Sequence, residues 1–365
     1  MKLGIVNHYV ELKGGQDRIN YWIAKYMAEK GHEVHIFSIT CARDLLDYPN
    51  VFYHPLRIPL RRPAVLRGIL LGILGDRERR KFNLDIFHIN GAISFLPHEV
   101  NHVHFCHRDY SRYEKIYSLK DIYYKGVTFI DAALERYVFR KKAEWMVAVS
   151  QNVKRALVEY HRIKKERIKV IYNGIDTEDF TPPTLQEKRK AREKYGIENE
   201  FVVAFVGEIK RKRKGIKEVL EAINEMKENV ILLVAGGEKK GREGRIIHAG
   251  FVRNIKEVYH ACDILILPSF YEPFGLVALE AAACGVPVVV SRNAGVTEVL
   301  EDGKEALHLL EITPGEIKKK IEMLYENKDL ARKLGKNARK KAERYSWRRM
   351  GEEFEKFYLE ILRGE

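Results

Sequence analysis

The stretch Asp263-Ile-Leu-Ile-Leu-Pro-Ser-Phe-Tyr-Glu-Pro-Phe-Gly-Leu-Val-Ala-Leu-Glu-Ala-Ala-Ala-Cys284 constrains the fold more than any other part of the chain. Ile264 to Leu267 is an apolar run of strand length. Pro268 ends it, because proline has no N–H to give a ladder. Ser269 to Pro273 reads as a loop. From Gly275 to Cys284 the apolar positions suit a helix, which Gly285-Val-Pro287 stops. Val288 to Val290 is apolar again. Strand, loop, helix and strand in direct succession are the repeating unit of a parallel sheet, so the chain is read as α/β.

Two carboxylates stand inside this unit. Glu272 ends the loop, beyond the carboxyl end of a strand, where parallel sheets place ligands. Glu280 lies within the helix among Leu276, Val277, Leu279, Ala281, Ala282 and Ala283. An all-round apolar helix is buried, and a charge inside it needs a partner. The helix opens on Gly275, which leaves its first N–H groups unshielded and open to an anion. Carboxylates only accept hydrogen bonds, so the pair suits hydroxyls beside a phosphate. The bland alternative leaves Glu272 a solvated loop residue and Glu280 a solvated helix residue.

Glu272-Pro-Phe-Gly-Leu-Val-Ala-Leu-Glu280, with Pro-Ser before it and Glu-Ala-Ala-Ala-Cys-Gly-Val-Pro after it, resembles the E-x7-E signature of retaining glycosyltransferases of family 4. That resemblance implies two facing Rossmann-like domains, the GT-B architecture, with an interdomain cleft. It implies residues 1–178 as an acceptor-side domain completed by a C-terminal helix over 347–365. Residues 179–346 would be the domain that binds a nucleotide-sugar donor. By the same resemblance Glu280 binds ribose hydroxyls, while Glu272 and the backbone of Phe274, Gly275 and Leu276 hold the donor sugar.

The whole chain is compatible with this reading. Its 365 residues suffice for two domains, and 45% hydrophobic with 32% charged residues describes a globular protein. The 65 Lys and Arg exceed the 51 Asp and Glu, giving +14, which favours acidic partners. Cys41, Cys106, Cys262 and Cys284 are far apart, form no CxxC, and read as reduced core thiols in a cytoplasmic protein. Met-Lys-Leu-Gly-Ile-Val opens directly as a strand, which leaves no room for a signal peptide. No apolar run reaches the roughly 20 residues of a membrane span.

Lys2 to Asn7 and His32 to Ser38 read as strands flanking a helix from about Gln16 to Glu29. No G-x-G-x-x-G lies between them, so a nicotinamide-type fingerprint is absent. Gly14-Gly15 precedes the helix and is either a plain turn or a place for close backbone approach to a ligand. The family resemblance assigns the pair to the donor phosphate. In residues 55–83, eight basic residues oppose Asp76 and Glu78, a net of about +6, with apolar residues between them. This reads either as a helix packed on the sheet with solvated arginines, or as a dock for an anionic membrane surface.

Val100 to Cys106 reads as a strand that places His102 and His104 on one face. Satisfied structural histidines are the default there; a metal site would lack a carboxylate or cysteine set. His107, at the strand end, lies where catalytic groups collect. Phe105-Cys-His107 also resembles the family's strand ending in histidine, which faces the donor sugar. Residues 113–142 read as an aromatic and basic helix. Trp145 to Val149 and Ile168 to Tyr172 read as strands, and Thr181-Pro-Pro183 as a linker.

Phe201 to Gly207 begins a second parallel pattern. The five basic residues Lys210 to Lys214 then lie between strand and helix, a position that suits a diphosphate. Arg213-Lys214-Gly215 is similar to the family's Arg-Lys-Gly, whose cations neutralise the leaving diphosphate. Glu208 stands where many members carry Arg, and by position it joins the donor-binding set. Gly236 to Gly244 is too loose to be a phosphate loop. Phe251, Val252 and Arg253 follow a strand that in the family lines the base pocket, and Asn293 to Glu298 reads as opening a helix.

The reading is a retaining hexosyltransferase, either free in the cytoplasm or peripheral at the inner face of the membrane. It would move sugar from a nucleotide-sugar to a glycan or lipid-linked acceptor. No cofactor and no metal are expected, because no acid cluster suits a metal–diphosphate site. Alternatives are a GT-B nucleotide-sugar epimerase, a phosphorylase (which needs a pyridoxal-binding lysine that cannot be located), and a basic nucleic-acid-binding protein. The last lacks a recognised module, and no nucleic acid is expected as partner.

Overall fold

The computed structural model describes residues 1–59, 64–114, 119–209, 212–227 and 229–364. The chain divides into two compact units, Met1–Gly174 with Trp347–Glu365, and Ile175–Ser346. The division therefore falls at Gly174, where 178 was expected. Ile175 donates its N–H to Tyr345 and bridges to Ser346, which ties it to the second unit. Thr181-Pro-Pro183 consequently lies within that unit and is not the linker.

The first unit is built from β1 (Lys2–Val6), β2 (Tyr9–Val10), α1 (Gly15–Glu29), β3 (Glu33–Ser38), β4 (Thr40–Cys41), β5 (Val51–Pro55), α2 (Ala64–Arg79), β6 (Ile86–Asn90), β7 (His98–Val103), α3 (His107–Tyr110), α4 (Leu119–Lys141), β8 (Ala143–Ala148), α5 (Gln151–His161) and β9 (Ile168–Val170). Seven strands form one parallel sheet in the order β5-β3-β1-β6-β7-β8-β9. Order reverses beside β1, the kind of switch point at which such sheets collect ligands. β2 and β4 pair separately as a two-residue bridge.

The second unit comprises α6 (Leu185–Lys194), β10 (Phe201–Val206), α7 (Ile216–Asn224), β11 (Val230–Ala235), β12 (Lys240–Glu243), β13 (Ile246–Gly250), α8 (Lys256–Ala261), β14 (Ile264–Leu267), α9 (Leu276–Ala283), β15 (Val288–Ser291), β16 (Ala306–Leu309), α10 (Pro314–Glu326) and α11 (Lys328–Ala342). Its sheet runs β12-β13-β11-β10-β14-β15-β16. All pairs are parallel except the edge hairpin β12–β13. The central strands are buried on both faces, as their unbroken Val, Ile and Leu runs require. One layer of core joins Phe205, Val219, Ile223, Leu232 and Ile266 to Ile317, Ile321 and Leu334.

The last helix, α12 (Trp347–Arg363), returns to the first unit. Trp347 stacks on Trp22 of α1 with ring centroids 4.5 Å apart, and the Tyr358 hydroxyl meets His88 Nδ1 at 2.6 Å. The helix is strongly two-faced, with Met350, Phe354, Phe357 and Tyr358 buried.

Several expected elements differ in detail. The strand expected over Val100–Cys106 is His98–Val103, since the chain leaves the sheet before His104. Gly236–Gly244, too loose a pattern for a phosphate loop, contains the edge strand β12, for which no strand was expected. Asn293–Glu298 yields only a short 3-10 turn over Gly295–Glu298. Within 55–83, residues 60–63 lie outside the described residues, and the helix is α2. Arg79 there is neither solvated nor presented to a surface. It is buried beside Asp76, with Nε to Oδ1 at 3.0 Å, and donates to the Pro97 carbonyl at 2.9 Å. A buried arginine needs such pairing.

His88, His98 and His102 are buried in this unit, and His104 is half-buried with its Nε2 out of solvent. His88 Nε2, both nitrogens of His102, and His104 Nε2 have no hydrogen-bond partner among the described residues. Burial holds these rings neutral: His88 and His104 are lowered to about 3, His98 to about 4, and His102 well below 6.5. Unfolded imidazoles take a proton near pH 6.5. Stability from these groups is thus complete above pH 6.5 and is lost as the pH falls from there toward about 3. Urea titrations at pH 7.5 and 5.5 should differ by about 1 kcal/mol per buried imidazole, several kcal/mol in sum, with the acid sample weaker. Equal stability at the two values would contradict the neutral burial of these rings.

Candidate functional site

The candidate groups fall in both units. In the second, the carboxyl ends of the parallel strands carry Gly207 and Glu208 after β10, Phe251 and Val252 after β13, and Pro268 to Phe274 after β14. Lys212 to Lys214 form a 3-10 turn, and Gly215 caps α7. Lys210 and Arg211 lie outside the described residues.

Gly215 has φ +71°, and a Cβ there would lie 2.1 Å from the Pro268 carbonyl oxygen. Only glycine lets the basic turn approach the end of β14 so closely. The Phe270 N–H donates to the Arg213 carbonyl at 2.8 Å, and Arg213 Nη1 donates to the Tyr271 carbonyl at 2.8 Å. The two loops are thereby sewn together, and their charges meet. Lys214 Nζ pairs with Glu272 Oε2, and Arg213 Nη1 lies 3.9 Å from the same oxygen. All three side chains are nearly buried. Burial alone would raise the Glu272 pKa, but Lys214 and then Arg213 outweigh it and hold the carboxyl below its usual range.

The Glu272 loop is held from a third side. Gly295 and Val296 donate their N–H groups to the carbonyls of Glu272 and Phe274, at 3.0 and 2.6 Å. Ser291 Oγ donates to the Ser269 carbonyl at 2.6 Å. The sequence signal for this brace was slight, because 291–296 carries no charge pattern of its own. Gly275, at φ +107°, caps α9 without a side-chain hydrogen bond. The start of α9 therefore has no capping side chain, and a Cβ at Gly275 would lie 3.5 Å from Glu272 Cγ. Phe274 is buried and Leu276 half-buried.

Glu280 sits one turn and a half further into α9, only 1% exposed. Its Oε2 accepts from the Tyr259 hydroxyl of α8 at 2.8 Å. That tyrosine was not anticipated; its spacing on a short helix gives no signal of its direction. Glu208 and Phe251 are exposed, Phe251 by 66%, and Val252 is half-buried.

In the first unit, Gly14 and Gly15 are exposed at the start of α1, which has no side-chain cap. Beside them Asn7 donates to Asp17 at 3.2 Å. Burial, opposed by that hydrogen bond and aided by Glu11, raises the Asp17 pKa to about 6. His107 opens α3 and is one-third exposed. Its backbone N–H donates to Glu135 Oε2 at 3.0 Å and its Nδ1 meets Glu135 Oε1 at 2.7 Å. Cys106, Glu135 and His161 also bring one potential metal-ligand atom each within 4.8 Å. Both Glu135 oxygens are already committed to N–H groups of His107, so this cluster reads as a hydrogen-bond network. His102 and His104 do come together, with ring centroids 3.9 Å apart, as rings whose pKa values desolvation lowers. The four cysteines are free thiols, all buried but half-buried Cys41.

Two family models match the chain. "Glycosyltransferase Family 4" covers residues 13–179, and "Glycosyl transferases group 1" covers 187–341. The N-acetyl-alpha-D-glucosaminyl L-malate synthase of Bacillus anthracis is 26% identical over 96% of this chain and 95% of its own. Among solved structures, the sucrose-phosphate synthase of Thermosynechococcus elongatus aligns over 100% of both chains with a TM-score of 0.81 at 18% identity. Anabaena HepE, solved with UDP-glucose, aligns over 100% of both with a TM-score of 0.74 at 20% identity. These likenesses establish a shared two-domain α/β fold.

The crowding at Gly215 gives a controlled test. Gly303 has the same φ, +71°, with nothing within 4 Å of an added Cβ. Gly303→Ala should cost about 1–2 kcal/mol from backbone strain alone. Gly215→Ala should cost at least about 2 kcal/mol more, read by urea unfolding, because backbone must shift. Equal costs would mean the two loops are not held at the described distance.

Proposed function

The chain belongs to the family-4 type of glycosyltransferase, and from that premise we propose that it transfers a hexose from a nucleotide-diphosphate-sugar with retention of anomeric configuration and without a metal. The observation that carries this is the buried Glu272 between Lys214 and Arg213, beside the uncapped start of α9. A diphosphate needs cations and N–H donors, and a sugar needs carboxylate acceptors; this corner of the second unit supplies both.

In this reading Arg213 and Lys214 bind the diphosphate and stabilise the charge it gains as the glycosidic bond breaks, which is electrostatic catalysis. Glu272, with the backbone of Phe274 to Leu276, orients the sugar. Glu280 accepts from the ribose hydroxyls, held in place by Tyr259. Phe251 and Val252 offer apolar surface to the base, and Glu208 completes the donor set of this unit. In the first unit, Gly14 and Gly15 offer backbone to a phosphate, and His107 offers a ring N–H to a sugar hydroxyl or phosphate oxygen. The cations and helix N–H groups do the work that a divalent ion does elsewhere. HepE is solved with UDP-glucose, which makes a UDP-sugar the first donor to try.

A glycan or lipid-linked acceptor is the remaining substrate. A membrane-borne acceptor is favoured by α4. Ile122, Phe129, Ile130 and Tyr137 recur at i, i+7, i+8 and i+15, and all are exposed, Phe129 by 66%. Lys125, Arg136 and Arg140 are exposed on the same helix. An apolar stripe flanked by basic residues suits an anionic lipid surface. Among the described residues no helix is long and apolar enough to cross a membrane. Leu66 and Ile73 of α2 are exposed as well, so the basic stretch 55–83 shares this role.

Calorimetry in EDTA with UDP-, GDP- and ADP-sugars tests the donor. One nucleotide-sugar should bind without metal, and Glu280→Ala should weaken it at least about 30-fold, the loss of two charged hydrogen bonds. No binding by any of the panel would count against the reading and return the nucleic-acid alternative. Sedimentation with phosphatidylglycerol vesicles tests the surface. The wild type should pellet at low salt, and Phe129→Glu with Ile130→Glu should stay in solution. Pelleting of both alike would remove α4 from the account.

A further inference from the structure

The buried network behind His107 does more than fill space. Glu135, from the middle of α4, is 4% exposed at its side chain. A buried carboxylate must be paired. Glu135 takes two N–H groups from one residue: the backbone N–H of His107 at 3.0 Å and the ring Nδ1 at 2.7 Å. His161 of α5 approaches the same carboxylate, Nε2 to Oε2, at 3.5 Å, and its Nε2 lies 3.4 Å from Cys106 Sγ. The Phe105 ring packs against the imidazole with centroids 4.8 Å apart.

This geometry settles the tautomer. A carboxylate only accepts, so Nδ1 of His107 carries the hydrogen. Nε2 is then the working nitrogen, and the question is whether it offers a lone pair or an N–H. The groups facing it are acidic. Asp131 Oδ2, one turn before Glu135 on α4, lies 3.7 Å from Nε2, and Glu114 adds charge from the segment after α3. Burial disfavours a charged ring, but the Glu135 hydrogen bond and the charges of Glu135, Asp131 and Glu114 outweigh it and raise the His107 pKa above the ordinary imidazole value. Glu135 moves the opposite way: burial would raise it, yet His107 and His161 hold it below the usual range.

We propose that Glu135 is a positioning residue that clamps His107 by backbone and ring together and keeps it a hydrogen-bond donor to an anionic or hydroxyl-bearing ligand, not a proton acceptor. The inference rests on the reading of His107 as a ligand-facing group. Its consequence is that the ring, flanked by a carboxylate at each nitrogen, presents an N–H to the ligand rather than a lone pair. Asp131 shares the face with Nε2 and adds to the bias, while Glu135 fixes the angle from which Nε2 is presented.

The test uses the full chain labelled with 15N-histidine, with His107 assigned through His107→Asn. In the wild type the His107 ring should titrate above pH 6.5, with Nδ1 protonated throughout. Glu135→Gln keeps the shape and removes the charge. It should lower the midpoint by about one pH unit or more, the size of a lost charge-assisted partner. Turnover of the bound nucleotide-sugar, followed as released nucleoside diphosphate, should fall about 100-fold in kcat, while KM for the donor stays within about 3-fold. Glu135→Asp should recover part of both effects. An unmoved midpoint with unmoved turnover in Glu135→Gln overturns the proposal. So does a wild-type midpoint below 6.5, a result that needs no variant to fold. Full activity in His107→Asn would instead defeat the role given to His107 itself, and the ring titration would still decide what Glu135 does to it.

Discussion

The buried contact of Lys214 with Glu272 is what the second unit's chemistry depends on. Neither charge could stay there alone, since an unpaired ion in such a place costs several kcal/mol. Together they hold the end of β14 against the start of α7, with Arg213 tied to both the carboxylate and the Tyr271 carbonyl. The arrangement keeps two cations beside an uncapped helix start before any ligand arrives. In the proposed function a diphosphate entering there would exchange one anion for another around the same cations, so little would have to reorganise. That is the condition under which electrostatic stabilisation is worth most.

The rest of the local structure serves this pair. Gly215 allows backbone to pass where a methyl group would collide with the Pro268 carbonyl. The brace from Gly295 and Val296 fixes the loop carbonyls. Tyr259 occupies one oxygen of Glu280, leaving that carboxylate oriented inside an apolar helix. The first unit repeats the principle with different groups. Glu135 is buried and paired, and what it pairs with is His107, one-third exposed just beyond the end of β7.

Much of the fold was legible because parallel sheets write themselves as short apolar runs. β1, β3, β10, β11, β14 and β15 follow such runs closely, and the turns beyond β10, β11 and β14 begin on glycine or proline. The edge strand β12 escaped notice because Lys240 to Glu243 is wholly exposed and has no apolar alternation to detect. His104 was placed in a strand because alternation cannot show where a chain leaves its sheet. The E-x7-E pair and Arg213-Lys214 were visible as motifs, since charge among apolar residues is conspicuous. Their partners were not. Tyr259, Glu135 and His161 act across distances of 21, 28 and 26 residues, and nothing local marks an ordinary helix residue as the one that turns inward. Arg79 shows the same limit from the other side: it looks like a surface cation in sequence and is a buried one in the fold.

The central claim is that Lys214 and Arg213 are preset for a diphosphate. The most direct measurement compares a nucleoside diphosphate with its bare nucleoside, by calorimetry in EDTA, on the wild type and on Lys214→Met. The account predicts that the diphosphate binds the wild type far more tightly than the nucleoside. It further predicts that Lys214→Met removes about 10- to 100-fold of that affinity, the worth of one charged hydrogen bond in a nearly dry site, and leaves the nucleoside unchanged. Equal binding of the two ligands, or a diphosphate affinity indifferent to Lys214, would contradict it.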